Sequence, residues 1–158
     1  MRKKIIPAYM LAAAIFAASS LMLGGCGAEQ ASRPPGPAAS KISLVNTTWR
    51  VVEINGVKAD FLPGQKLDLS LVLSKGGQFS SSTGCNHLSG SYVLNAGQLS
   101  FGSLLITRIA CTAQLMARER AFIDALRMVT GYSLQNGRLK LLNRGGLKVI
   151  ELIALRKQ

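Results

Sequence analysis

Cys85-Asn86-His87 places side by side the three residue types of a cysteine hydrolase: a thiol, an amide and an imidazole. That chemistry needs the imidazole within hydrogen-bond reach of the thiol so that it can take the thiol's proton. Successive side chains of extended backbone point to opposite faces. Cys85 and His87 would therefore share a side and still be held apart by the strand. His87 is also the only histidine in the chain. Ser80-Ser81-Ser82-Thr83 supplies hydroxyls without the strand-to-helix elbow of serine hydrolases. The carboxylates of the folded part, Glu53, Asp60, Asp68, Glu119, Asp124 and Glu151, are scattered, and no pair stands out. One histidine and two thiols make a poor metal set. Gly76-Gly77 and Gly145-Gly146 lack the helix and lysine of a phosphate loop. These residues predict no catalytic site, no metal and no cofactor.

A third cysteine, Cys26, has a different setting. Met1-Arg2-Lys3-Lys4 is basic, an apolar run from Ile5 to Leu23 follows, and Leu23-Gly24-Gly25-Cys26 closes it. A basic start and a short apolar core before small residues describe a secretory signal. Interrupted by Pro7 and Ser19-Ser20, the run falls just short of the roughly 20 apolar residues a spanning helix needs. The last four residues resemble the lipobox of bacterial lipoproteins, which implies lipidation of Cys26 and removal of residues 1–25. Two acyl chains already suffice for stable anchoring. Gly27 is not the aspartate that retains many such proteins at the inner membrane, so the resemblance implies an outer-membrane anchor facing the periplasm. Residues 26–43 contain Pro34, Pro35 and Pro37 among small and polar residues and read as a disordered tether. Fully stretched at roughly 3.1 Å per residue, it would reach about 50 Å. Residues 44–158 remain as one domain able to build a single core.

Removing Arg2, Lys3 and Lys4 from the 19 basic residues leaves 16 against 7 acids, a mature net charge of +9. Outside the cytoplasm such a charge favours an anionic envelope polymer, an acidic envelope protein or anionic headgroups. Nucleic acid is not expected, because an exported lipoprotein rarely meets it. With Cys26 lipidated, Cys85 and Cys111 remain as an even pair in an oxidising compartment. A bridge between them would stabilise the fold by about 3 kcal/mol on the chain-entropy model. The alternative is two buried free cysteines packed as small hydrophobes.

The elements that must position these groups are mostly strands. Leu67, Leu69, Leu71 and Leu73 alternate with Asp68, Ser70 and Val72, as one buried face requires. Thr48–Ile54 reads as a strand ending in the hairpin signal Asn55-Gly56. Gln78–Ser82, Leu88–Leu94, Gln98–Phe101 and Leu104–Ile109 read as further strands. So do Tyr132–Leu134, Arg138–Leu142 after Asn136-Gly137, and Leu147–Leu155. From Ala113 to Thr130 neither Gly nor Pro occurs, and Leu115, Phe122, Leu126 and Val129 recur at helical spacing. Thr112 is expected to cap this helix and Gly131 to end it. Arg118, Glu119, Arg120, Asp124 and Arg127 form its solvated face. The pattern predicts a mainly β (α+β) fold. It would be an antiparallel rolled sheet or small barrel of about eight strands, connected up-and-down, with one amphipathic helix. Trp49 is expected to plug its core, with the indole N–H on a backbone acceptor. Gly84 permits a bend, and Asn86 is expected to bond its neighbouring backbone to hold a turn.

From Trp49 to about Leu155 the chain resembles the META/HslJ family. The pieces are Thr48-Trp49-Arg50-Val51-Val52, Gly84-Cys85-Asn86 with Gly90 and Tyr92, and Thr107-Arg108-Ile109-Ala110-Cys111. Glu119 and Phe122 before Leu126, and Gly137-Arg138-Leu139, complete them. The family often has a Thr-Thr-Met-Ala-type approach to the second cysteine, where this chain has Thr107-Arg108-Ile109. The resemblance implies a mostly antiparallel β domain with one helix and an envelope or secreted protein without established catalytic activity. Some members are associated with heat shock or antibiotic tolerance. The expected function is therefore a non-catalytic envelope lipoprotein in stress tolerance or maintenance, working through binding or assembly. Two alternatives are a small-ligand-binding barrel and a lipoprotein inhibitor of an extracellular hydrolase; in the second, a lysozyme-type target would be repelled by like charge.

Cys26→Ser is predicted to leave the protein unprocessed, soluble or mislocalised, read by membrane fractionation and intact mass. Unchanged fractionation and mass would rule out lipidation at this residue.

Overall fold

A computed structural model of the protein describes residues 42–155. The signal, Cys26 and nearly all of the tether lie outside the described residues. The elements are β1 (Thr48–Ile54), β2 (Val57–Lys58), β3 (Ser70–Ser74), β4 (Gln78–Ser82), β5 (His87–Asn95), β6 (Gln98–Ile106), α1 (Ala113–Met128), β7 (Gly131–Gln135), β8 (Arg138–Leu142) and β9 (Lys148–Ala154). The strands form a curled antiparallel half-barrel, and the single helix connects β6 to β7.

Across the sheet the strands run β6-β5-β4-β3-β1-β9-β8-β7. The order is thus two meanders joined through the first strand, rather than one up-and-down run. The reason lies at one edge of β1. Its start pairs with β3, Arg50 opposite Ser70, and its end pairs with β2, Glu53 opposite Lys58. The two-residue β2 covers only the end of that edge, and a strap from Ala59 to Leu69 returns the chain to pair with the rest. The opposite edge of β1 is left for β9. At the far ends the sheet curls round until Leu99 N donates to Thr130 O at 3.3 Å, beside the start of β7.

Side-chain alternation fills the concave face. Trp49, Leu71, Leu73, Leu88, Leu99, Leu139, Leu141, Ile150 and Leu152 are fully buried, together with Phe122 and Leu126 from the helix. Trp49 seats its indole N–H on Leu44 O at 2.9 Å, as its type predicts. The turns Asn55-Gly56 and Asn136-Gly137 both have positive φ at both residues, the mirror-image turn that suits twisted strands. The leucine alternation begins one step later than its pattern suggests. Leu67 is 63% exposed and the strand starts at Ser70, because residues 59–69 serve as the strap.

Three other features differ from the sequence expectation. Gln98–Phe101 and the start of Leu104–Ile109 form one continuous β6, which ends at Ile106 because Thr107 and Ile109 are drawn aside by Asn86. The helix ends at Met128 with Val129 as its cap, not Gly131: Thr130 N donates to Leu142 O at 2.8 Å, so the sheet recruits the backbone before a glycine cap can form. Glu119 does not belong to a solvated face; it is buried in the stripe with Leu115, Phe122, Ala125 and Leu126.

Gly90 sits where the β5–β6 register shifts. A Cβ there would lie 1.9 Å from Ser103 O and 2.8 Å from Phe79 Cε1. Backbone oxygen on one side and a core ring on the other leave no room to yield. Gly90→Ala is therefore predicted to destabilise the domain by about 1–3 kcal/mol through overpacking, measured by urea denaturation. A midpoint matching wild type would show that β6 moves away at no cost.

Candidate functional site

The β4–β5 turn carries the densest polar chemistry of the described residues. Thr83 holds it: Asn86 N donates to Thr83 Oγ1 at 2.9 Å, and Thr83 N donates to Asn86 O at 2.9 Å. Gly84 adopts φ +87°, a left-handed conformation natural to glycine. The Thr83 hydroxyl then donates to Glu119 Oε2 at 2.7 Å, and Asn86 Nδ2 donates to the same oxygen at 3.0 Å. Glu119 is 6% exposed, so neutral donors of the sheet receive a carboxylate of the helix in the interior.

The sequence predicts that Asn86 bonds its own neighbourhood. It reaches across to a different segment instead. Its Oδ1 accepts from Ile109 N at 2.7 Å and Thr107 Oγ1 at 2.9 Å, and its Nδ2 also donates to Ile109 O at 3.3 Å. Both donors and both lone pairs of the amide are thereby used. The physical reason is that Thr83 already supplies the turn's local bond, which frees the amide for the chain leaving β6. Next to it, Cys85 and Cys111 form a disulfide, with Cα atoms 6.4 Å apart, that ties the turn to the residue before the helix cap. Thr112 Oγ1 accepts from Leu115 N and caps α1 as its position predicts.

Of the residues singled out by sequence, Gly84, Cys85, Asn86, Cys111 and Glu119 meet at this node, while Trp49 belongs to the core of β1. His87 is exposed beyond the turn. With its sulfur bonded to Cys111, Cys85 carries no thiolate for His87 to activate.

The node continues into a feature that sequence reasoning missed. On the helix, Arg118 precedes Glu119 and points to the strap: Nη1 donates to Asp60 O and Nη2 to Gln65 Oε1, both at 2.6 Å. Gln65 organises the strap itself, accepting from Leu62 N and donating to Leu67 O. A Cβ on Gly84 would lie 2.9 Å from Arg118 Nη2 and 3.0 Å from Gln65 Cγ. The motif glycine thus serves the turn and also makes room for the strap-to-helix clasp. Beneath the strap runs a groove of about 420 Å³, walled by Ile54, Val57, Ala59 and Leu62 on one side and Ala117, Arg118 and Ala121 on the other. A smaller cavity of about 170 Å³ lies where the strap meets Arg50 and Val52 of β1. The sequence signal was the pair Ala117 and Ala121, four apart on a face opposite an apolar segment assigned to no element.

Charge is treated differently in two places. At the β1–β9–β8 seam, Lys148 Nζ lies 2.7 Å from Glu53 and 2.5 Å from Glu151, which Arg138 also pairs with at 2.9 Å. The hydrogen bond that Lys148 donates to Glu151, then the one to Glu53, raises the Lys148 pKa, and the same Lys148 bond lowers that of Glu151. Arg118 has no such partner. No carboxylate among the described residues lies within 4.0 Å of it, its Nε is buried without an acceptor, and burial lowers its pKa.

Fold and site together define a small disulfide-tied half-barrel domain closed by one helix. The chain matches the META domain model over residues 42–153, most of its length, and it belongs to that family. Among solved structures it is similar to a protein from Burkholderia xenovorans determined by NMR. The two are 29% identical over 72% of this chain and 85% of that one, with a TM-score of 0.56. A DUF4847 family protein from Bacteroides vulgatus ATCC 8482 is 15% identical over 73% of this chain and 96% of that one, with a TM-score of 0.54. That likeness is one of fold alone. No curated protein matches the chain.

Asn86→Ala is predicted to destabilise by about 2 kcal/mol or more, since the backbone amide of Ile109 and the Glu119 carboxylate each lose a partner. Glu119→Gln, which keeps an acceptor oxygen, should cost less. A double-mutant cycle between Asn86→Ala and Glu119→Ala, read by denaturation, should show coupling of about 0.5–3 kcal/mol. Strict additivity would mean the two residues act separately.

Proposed function

We propose that this chain is a non-catalytic, lipid-anchored envelope protein whose META domain acts in envelope maintenance or stress tolerance by binding or assembly. The observation that carries the reading is the use made of the reactive residues. Cys85 is bonded to Cys111, and every hydrogen-bonding position of the Asn86 amide is occupied. Two of the three groups that resemble a hydrolase in the sequence, Cys85 and Asn86, act as fasteners in the fold. A disulfide persists in oxidising compartments, which supports export and agrees with Cys26 as a lipidated anchor on the periplasmic side of the outer membrane. The mature charge of +9 supports an anionic partner, whether an envelope polymer or an envelope protein.

Small-ligand binding is the second reading, and the groove favours it. The barrel interior is filled by Trp49, Phe122 and the leucines, so a ligand would lie under the strap rather than inside the sheet.

Two measurements test the reading together. Alkylation of denatured envelope material should find Cys85 and Cys111 unreactive before reduction and both reactive after it. In a strain lacking the protein, His87→Ala should restore growth under envelope stress as well as wild type does. Free thiols without reductant would place the domain in a reducing compartment, and failure of His87→Ala would point to chemistry.

A further inference from the structure

The groove under the strap joins two features. Its walls are apolar, and Val57 at its edge is 70% exposed. Ala117 and Ala121 carry only a methyl each, so the helix contributes a shallow channel rather than a ridge. In the same wall stands Arg118, a cation with neutral oxygens on its two terminal nitrogens, no carboxylate partner among the described residues, and a buried Nε without an acceptor. A buried polar group without a partner calls for an explanation, and a charged donor most of all. The chain does pair charges where it has carboxylates at hand, as Lys148 with Glu53 and Glu151 shows. Lys58 adds a second positive charge to the groove, and the Asp60 side chain opposes it.

We propose that this groove binds a single-chain fatty carboxylate, with the acyl chain between Leu62 and the Ala117–Ala121 face and the carboxylate at Arg118. The volume of about 420 Å³ falls within the range of small-ligand sites, roughly 300–1,000 Å³. It suits one chain. An acidic head at the terminal nitrogens supplies the countercharge that the protein leaves out, and a guanidinium–carboxylate contact is among the stronger hydrogen bonds. The inference rests on the binding reading above and names the ligand class for it.

The fragment Ala39–Gln158 is suited to the test. The domain's core draws its members from Leu44 to Leu152, and the solved relative from Burkholderia xenovorans consists largely of the matching region. Displacement of a fluorescent fatty-acid probe, below micelle-forming concentrations, would compare palmitate with hexadecanol. Palmitate is expected to bind about tenfold or more tightly than the alcohol, the difference a charge-assisted hydrogen bond makes. Ala121→Leu, which fills the channel and removes no hydrogen-bonding group, should abolish displacement. Arg118→Gln should bring the two ligands close to equal affinity. Equal affinity of palmitate and hexadecanol in the wild type, with loss in Ala121→Leu, would overturn the fatty-carboxylate assignment and leave the binding reading standing. Palmitate binding unchanged in Ala121→Leu, or absent from the wild type, would overturn the site itself. The thiol-labelling result is independent of both.

Discussion

The carboxylate of Glu119, received inside the domain by Thr83 and Asn86, is the contact on which the rest of the architecture depends. A carboxylate taken out of water is costly unless hydrogen bonds meet it. Here two neutral donors on one turn meet the same oxygen, so the helix can dock only where that turn is correctly formed. The turn in turn needs Thr83 for its local bonds and Gly84 for its left-handed step. Asn86 passes the constraint on to Thr107 and Ile109, which sets where β6 ends and where the chain departs for the helix. The disulfide closes the same circuit covalently.

A half-barrel with one seam needs such a device. Its edge strands β6 and β7 meet through Leu99 and Thr130, and the helix spans the chain between them. Phe122, Ala125 and Leu126 supply the helix with burial, but burial is non-directional and fixes neither rotation nor register. Hydrogen bonds to one carboxylate oxygen fix both. The division of labour is clear: leucines hold the helix against the sheet, and the polar node says where along the sheet it sits.

Much of this architecture is legible in the sequence because period and turn chemistry are local. Thr48–Ile54 with Asn55-Gly56, Arg138–Leu142 after Asn136-Gly137, and the capped helix all follow from spacing and turn type. Trp49 and its backbone acceptor follow from residue type. What escapes local rules is non-local pairing. Residues 59–69 carry Phe61, Leu62, Leu67 and Leu69 yet form a strap, because β2 pairs with the end of one edge of β1 and β3 with its start, and the chain must run from the one to the other. Residue type assigns Glu119 to the exposed charges, although it stands four residues after Leu115 and three before Phe122, on the buried stripe itself. A charge without visible donors belongs in water, and here the donors outweigh the charge. Those partners, Thr83 and Asn86, lie 36 and 33 residues away, beyond any periodicity.

Arg118 and Glu119 are neighbours of opposite charge, yet the fold does not pair them. Adjacent helical residues diverge by about a quarter turn, so one faces the core-side turn and the other the strap. Each is met by neutral groups: hydroxyl and amide donors for the carboxylate, a backbone and an amide oxygen for the guanidinium. Gly84 stands between them, its missing side chain leaving space for Arg118 while its turn presents Thr83 and Asn86 to Glu119. The consequence is electrostatic. Had the two charges paired with one another, the helix wall of the groove, Ala117, Arg118 and Ala121, would carry no net charge. Held apart, they keep the negative charge inside the polar node and leave a positive one facing the groove, where low polarity strengthens its pull on an anion.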